Sequence, residues 1–129
     1  MNPDKARKRI RVLLADDDLN ALAAVHKLLQ SDFEIVDMVQ DGSSLVEAAL
    51  KWRPDVIVSD ISMPKLNGIA AARKILDSLP GVKFIFLTMH ASTAYRKAAL
   101  NLGASGYVLK SSAREELTQS VREAVHSRQ

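Results

Sequence analysis

The sequence predicts a doubly wound α/β domain: five strands, each followed by a helix, forming a parallel sheet of order 2-1-3-4-5. Three observations predict it. From Ile10 onward, short apolar runs alternate with helix-length segments in a chain of 129 residues, a length that fits one domain. Three of those runs are nearly continuous in Val, Ile and Leu, the composition of strands covered on both faces. The segments between runs are long enough for the crossover helices that parallel strands need, and right-handed crossovers put helices on both faces of the sheet.

The elements follow in order. Ile10–Ala15 is the first strand, and Leu19–Gln30 is a helix with Leu22, Val25, Leu28 and Leu29 at spacings of three and four. Ile35–Val39 is the second strand, and the turn signal Asp41-Gly42 precedes the helix Ser43–Trp52. Val56–Ser59 is the third strand. The helix Gly68–Leu79 carries Ile69, Ala72, Ile75, Leu76 and Leu79 and stops at Pro80-Gly81. Val82–Leu87 leads to the helix Thr93–Leu102, closed by Gly103, a good C-terminal cap. Ser105–Leu109 is the fifth strand. The last helix opens on Ser111-Ser112 with Glu115 at capping-box spacing and continues through Leu117, Val121 and Val125. The whole is flavodoxin-like in strand order.

Composition narrows the function. With 47% hydrophobic and 26% charged residues, the chain reads as an ordinary globular domain. It has no cysteine, which excludes disulfides, thiolate metal sites and a cysteine nucleophile. No apolar run approaches membrane-spanning length and no signal peptide is apparent, so a cytoplasmic domain with no membrane partner is expected. The net charge of +3 is concentrated at one end. Residues 1–11 hold five basic side chains and one acid, leaving the rest of the chain slightly acidic. Residues 1–9 therefore read as a basic, solvated tail and 10–129 as the folded domain, with no output domain in this chain. His26, His90 and His126 fall in three separate segments and suggest no transition-metal site.

The chemistry gathers at the carboxyl ends of the strands, where open parallel sheets bind ligands at the point of strand-order reversal. The first strand runs into Asp16, Asp17 and Asp18, and the third ends in Asp60. The fourth and fifth end near Thr88 and Lys110. Carboxylates crowded together either take up protons or bind a cation. Oxygen ligands without His or Cys point to a hard divalent ion, with Mg²⁺ first. Lys110 is suited to pair with a carboxylate or with added phosphate. Each residue alone has a plainer reading: Asp18 as the N-cap of the first helix, Asp60 as a turn residue, Thr88 as a backbone-bonded hydroxyl, Lys110 as a solvated charge. Their joint placement on one sheet edge is what argues for a site.

The stretches "LLADDD", "VIVSDISMPKLNG", "FIFLTMHA" and "GASGYVLKSSAREEL", in this order, resemble the receiver domains of two-component response regulators from Ile10 to the C-terminus. The resemblance implies that Asp60 is the phosphoacceptor. It implies that Asp17 directly, Asp16 largely through water and the backbone carbonyl of Ser62 hold Mg²⁺, or Mn²⁺ in its place. Thr88 then matches the switch hydroxyl, Lys110 the lysine that pairs with the phosphoryl group, and Tyr107 the aromatic switch. Ser62 and His90 fall at positions that tune dephosphorylation. Lys110 precedes a cis peptide in the family; here the next residue is Ser111 rather than the usual proline.

"LTMHAS" with "GYVLKSSAREEL" is most similar to the NarL/FixJ subgroup. That implies a sensor histidine kinase as phosphoryl donor, a surface of the fourth helix, fifth strand and fifth helix that changes on phosphorylation, and regulation of transcription through a C-terminal helix-turn-helix domain. It leaves open a homodimer formed on phosphorylation. One departure is Asp18-Leu19-Asn20, where the subgroup commonly has histidine followed by proline. Competing readings are a stand-alone or phosphorylation-independent receiver, an aspartyl-phosphate phosphatase and a flavodoxin-like electron carrier. The phosphatase would need an acid where Ser62 stands, and the electron carrier a phosphate-binding loop after the first strand that is not there.

Overall fold

The computed structural model describes residues 9–126. Five strands alternate with five α-helices: β1 (Arg11–Ala15), α1 (Leu19–Leu29), β2 (Glu34–Val39), α2 (Gly42–Trp52), β3 (Val56–Ser59), α3 (Gly68–Ser78), β4 (Lys83–Thr88), α4 (Thr93–Asn101), β5 (Gly106–Leu109) and α5 (Ala113–His126). All neighbouring strands pair in parallel, in the order β2-β1-β3-β4-β5. The order reverses between β1 and β3, as the sequence predicts.

Side chains alternate across the sheet and divide the core in two. Leu13, Ala15, Ile57, Phe84 and Phe86 face α2 and α3, packing with Leu45, Ala49, Ala72 and Ile75. Val12, Leu14, Val56, Val58, Ile85 and Leu87 face the other way, against Leu22 and Leu29 of α1 and Leu117 and Val121 of α5. Central strands are therefore apolar on both sides, which is why β1, β3 and β4 read as continuous runs. The outer helix α4 is seated differently: Ala99 is its one buried residue.

Local chemistry sets the helix ends. Asp18 caps α1 by accepting from Asn20 N–H at 2.9 Å, as expected. Asp41, Asn67 and Ser92 cap α2, α3 and α4 in the same way. Gly103, with φ +95°, takes the left-handed cap conformation after α4. The capping box expected at Ser111-Ser112 does not form. A 3-10 turn over Lys110–Ser112 runs directly into α5, with the Ala113 N–H donating to the Lys110 carbonyl.

Of the basic tail at residues 1–9, residues 1–8 lie outside the described residues. Arg9 donates from its guanidinium to the carbonyls of Gln30 at 2.7 Å and Phe33 at 2.8 Å. Among the described residues no helix is long and apolar enough to cross a membrane, and no peptide bond is cis, the Lys110–Ser111 bond included.

Candidate functional site

The site is built from the ends of four strands. Parallel pairing in register brings Ala15 of β1 beside Ser59 of β3, so the residues just beyond them, Asp16 and Asp60, emerge side by side. Backbone bonds fix both: Asp16 N–H donates to the Val39 carbonyl at 3.0 Å, and Asp60 N–H to the Ala15 carbonyl at 2.9 Å. The buried Ser59 hydroxyl, which the sequence did not single out, donates to the Asp60 carbonyl at 2.7 Å.

The carboxylates are held as firmly as the backbone. Asp60 is 8% exposed and Asp16 5%. Asp60 Oδ1 accepts from Ile61 N–H at 2.7 Å, and Asp16 Oδ1 from Asp18 N–H at 2.9 Å. Their other oxygens share one cation. Lys110 Nζ lies 2.6 Å from Asp16 Oδ2 and 3.0 Å from Asp60 Oδ2. Asp17 is exposed, yet it offers an oxygen such that one ligand atom from each of Asp16, Asp17 and Asp60 lies within 4.8 Å of the other two.

Electrostatics follow from this crowding. Burial pushes the Asp16 carboxyl above the ordinary carboxylate range, and the Asp60 charge adds to it, against the opposing hydrogen bonds of Lys110 and Asp18. Burial alone would weaken the Lys110 ammonium, but its hydrogen bonds to Asp16 and Asp60 and their charges hold it above the usual lysine value. Three carboxylates facing one ammonium leave an excess of negative charge. The donor set is all oxygen, so it fits a hard divalent cation better than a soft one.

His90 ties the remaining residues together. Its N–H donates to Thr88 Oγ1 at 3.2 Å, and Thr88 is fully buried. Its carbonyl accepts from the Tyr107 hydroxyl at 2.7 Å. Its ring shares a 3.1 Å hydrogen bond between Nε2 and Ser62 Oγ and lies 5.1 Å, centre to centre, from the ring of Tyr95. Burial pushes the Tyr107 hydroxyl above its ordinary value, partly offset by Arg96, whose guanidinium stands 5.3 Å from the Tyr107 ring. All eight candidate residues therefore lie in two linked groups. Asp16, Asp17, Asp60 and Lys110 form the charged group; Thr88, His90, Tyr107 and Ser62 form the other, and the 60–62 segment joins them.

Residues 12–122 match the response regulator receiver domain. The chain belongs to that family. Among curated relatives, this receiver domain is 36% identical over 124 residues to the transcriptional regulatory protein DegU of Brevibacillus brevis, covering 95% of this chain and 52% of that protein. It is 34% identical over 116 residues to the oxygen regulatory protein NreC of Staphylococcus carnosus, covering 88% and 54%. The chain thus spans about half the length of the curated relatives it matches. Among solved structures, a LuxR-family two-component response regulator from Aurantimonas sp. SI85-9A1 superposes with a TM-score of 0.86 at 28% identity, over 92% of this chain and 86% of that one. The response regulator domain of Thermotoga maritima CheB gives 0.86 at 29%, over 95% and 100%. As a receiver domain it is a signalling module, similar to the receivers of NarL- and LuxR-family regulators.

Sequence reasoning missed three contributors. Ser59 locks the carbonyl of Asp60, Asp41 caps α2 while its Oδ2 lies 3.9 Å from Lys65 Nζ, and Asn67 caps α3. The last two carried a signal: an Asx residue one position before a helix.

Proposed function

We propose that this receiver domain accepts a phosphoryl group on Asp60 from a sensor histidine kinase or a small acyl phosphate, and so changes the surface formed by α4, β5 and α5. The observation that carries the reading is Lys110 Nζ bridging Asp60 and Asp16 beside a three-carboxylate cluster. Asp60 acts as the nucleophile: one of its oxygens forms a bond to phosphorus as the bond to the donor nitrogen or oxygen breaks. Ile61 N–H and Lys110 hold the carboxylate in one orientation before reaction, which is the entropy that a positioned nucleophile saves. Lys110 keeps its proton throughout and exchanges a carboxylate partner for a phosphoryl oxygen.

Mg²⁺, or Mn²⁺, would be held by Asp17 and Asp60 directly, by Asp16 through water and by the Ser62 carbonyl. When bound, it neutralises charge on the transferring group. Lys110 and the Asp18 N–H already engage the Asp16 oxygens, which favours its acting through water.

Thr88 and Tyr107 read the product. Both bond the backbone of His90, so movement of the Thr88 hydroxyl toward a phosphoryl group disturbs the segment that Tyr107 also grips. The change selects between packings already available to the domain. Ser62 and His90 set the lifetime of the phosphorylated state. Relatives twice as long, DegU and NreC among them, are named as regulatory proteins, which supports a role in transcription through a C-terminal helix-turn-helix domain, with DNA contacted only there. Homodimer formation on phosphorylation and a cytoplasmic location belong to the same proposal.

Intact mass after incubation with acetyl phosphate and Mg²⁺ tests the proposal. One added phosphoryl group is expected, abolished by EDTA and by Asp60→Asn. No gain in the wild type, despite Mg²⁺ binding, would favour a receiver that acts by protein contact alone or one that accepts phosphate only from its own kinase.

A further inference from the structure

The loop that leaves Asp60 for α3 rests on a part of the chain remote from it in sequence. Gly42, the first residue of α2, donates its N–H to the Pro64 carbonyl at 3.3 Å. Its neighbour Asp41 lies 3.9 Å from Lys65. A Cβ built on Gly42 would overlap the Leu66 carbonyl oxygen and come within 2.6 Å of Leu66 Cβ. The loop is wound tightly at the same point: Lys65 has φ +69°, and Leu66 N–H turns back to the Pro64 carbonyl at 2.7 Å. A non-glycine residue at positive φ persists only where its surroundings determine it.

We propose that Gly42 is a positioning residue for the metal and phosphoryl site. By carrying no side chain it lets the 61–67 loop close onto the β2–α2 turn, and this closure sets where the Ser62 carbonyl stands relative to Asp60 and Asp17. The inference deepens the phosphoacceptor reading and rests on it.

The direction of yielding is decided by anchorage. A methyl group at position 42 meets backbone, which cannot rotate aside. Helix α2 is fixed by buried Leu45, Ala48 and Ala49 and by the Asp41 cap. Pro64 and Lys65 are exposed and Leu66 is half-buried, so the loop gives first. Ile61 and Met63 are buried, and Ser62 sits between them, close to the displaced segment. The far end of the loop has little slack. Gly68 N–H bonds the Ile61 carbonyl at 2.7 Å, and a Cβ on Gly68 would overlap the Asp60 carbonyl oxygen. The loop is held between two glycines, and Gly42 is the one outside the site.

The test is Mg²⁺ titration by calorimetry on wild type, Gly42→Ala and Gly81→Ala, with amide hydrogen exchange of 61–67 measured without metal. Gly81 is the control because a Cβ there meets nothing within 4 Å. Gly42→Ala is expected to keep its far-UV circular dichroism, exchange faster in 61–67 and bind Mg²⁺ about tenfold more weakly, as for other residues that orient metal ligands. Raising Mg²⁺ should restore its phosphorylation, and Gly81→Ala should match wild type. A folded Gly42→Ala protein whose Mg²⁺ affinity stays within about twofold of wild type overturns the proposal and leaves the phosphoacceptor reading standing. Should that variant not fold, Lys65→Ala releases the loop from Asp41 and leaves the α2 cap in place: a weaker Mg²⁺ site supports the proposal and an unchanged one overturns it. A wild type that binds no Mg²⁺ refutes both.

Discussion

Replacing Lys110 with methionine removes the ammonium that lies 2.6 Å from Asp16 and 3.0 Å from Asp60. Two buried carboxylates then face each other without it. Truncating one partner of a buried ion pair ordinarily costs about 3–5 kcal/mol, but here the carboxylates have an escape, because one of them can take up a proton. Holding a proton at pH 7 on a carboxyl whose ordinary value is 3.8 costs about 4 kcal/mol, at 1.36 kcal/mol per unit. That figure is a ceiling on the loss. Burial already holds Asp16 above 3.8, so the metal-free variant should lose about 2–4 kcal/mol at pH 7. At pH 5 the same ceiling drops to about 1.6 kcal/mol. Urea unfolding in EDTA at both pH values measures this, and the expected loss is large against a typical domain stability of about 5–15 kcal/mol. Adding Asp16→Asn should shrink the effect of Lys110→Met, since the two residues are in contact. An equal loss at pH 5 and pH 7, or none at pH 7, would refute the argument that carboxylate repulsion is what Lys110 relieves.

Because the Asp16 carboxyl is raised in the folded domain, the stability it contributes is present below its unfolded value and is lost as pH rises through its folded one. In EDTA the stability of wild type relative to Asp16→Asn should therefore fall with rising pH above 3.8, while Mg²⁺ affinity rises over the same window as the competing proton leaves. Ser62 and His90 share one hydrogen bond, so Ser62→Ala and His90→Ala should alter the phosphoryl lifetime non-additively. A coupling of about 1 kcal/mol, roughly fivefold in rate, is expected from a double-mutant cycle followed by phosphorus NMR. Leu117→Ala opens a space in the α1–α5 core, where Leu117 is fully buried. It should cost about 2–5 kcal/mol in urea unfolding and leave Asp60 able to accept phosphate.

Much of the fold was legible because its signals are local. Continuous Val and Ile in β3 and β4, and three- and four-residue spacing in α1 and α3, report burial directly, and strand bounds fell within a residue of those read from the sequence. Asp16, Asp17, Asp60 and Lys110 were legible because strand ends in this architecture must converge. What escaped depends on contacts between distant segments. Nothing near Ser62 in sequence announces His90 as its hydrogen-bond partner, and nothing near Gly42 announces Leu66. The missing capping box is a different case: the local pattern at Ser112 was present, but the chain enters α5 through a 3-10 turn over Lys110–Ser112 that the pattern does not announce.

The light seating of α4 has a mechanical consequence. With Ala99 as its buried residue, and Tyr95 and Leu100 on its outer side, this helix can tilt or slide while little apolar area changes its exposure to water. The sheet insulates the α1–α5 core from such a motion, since the two sets of buried residues lie on opposite faces. The domain is therefore stiff where charge is handled and compliant where its outer surface is displayed, with His90 at the seam. Segments of low local stability are where rearrangement is least costly, and a small push at the end of β4 can be amplified there without loosening the fold.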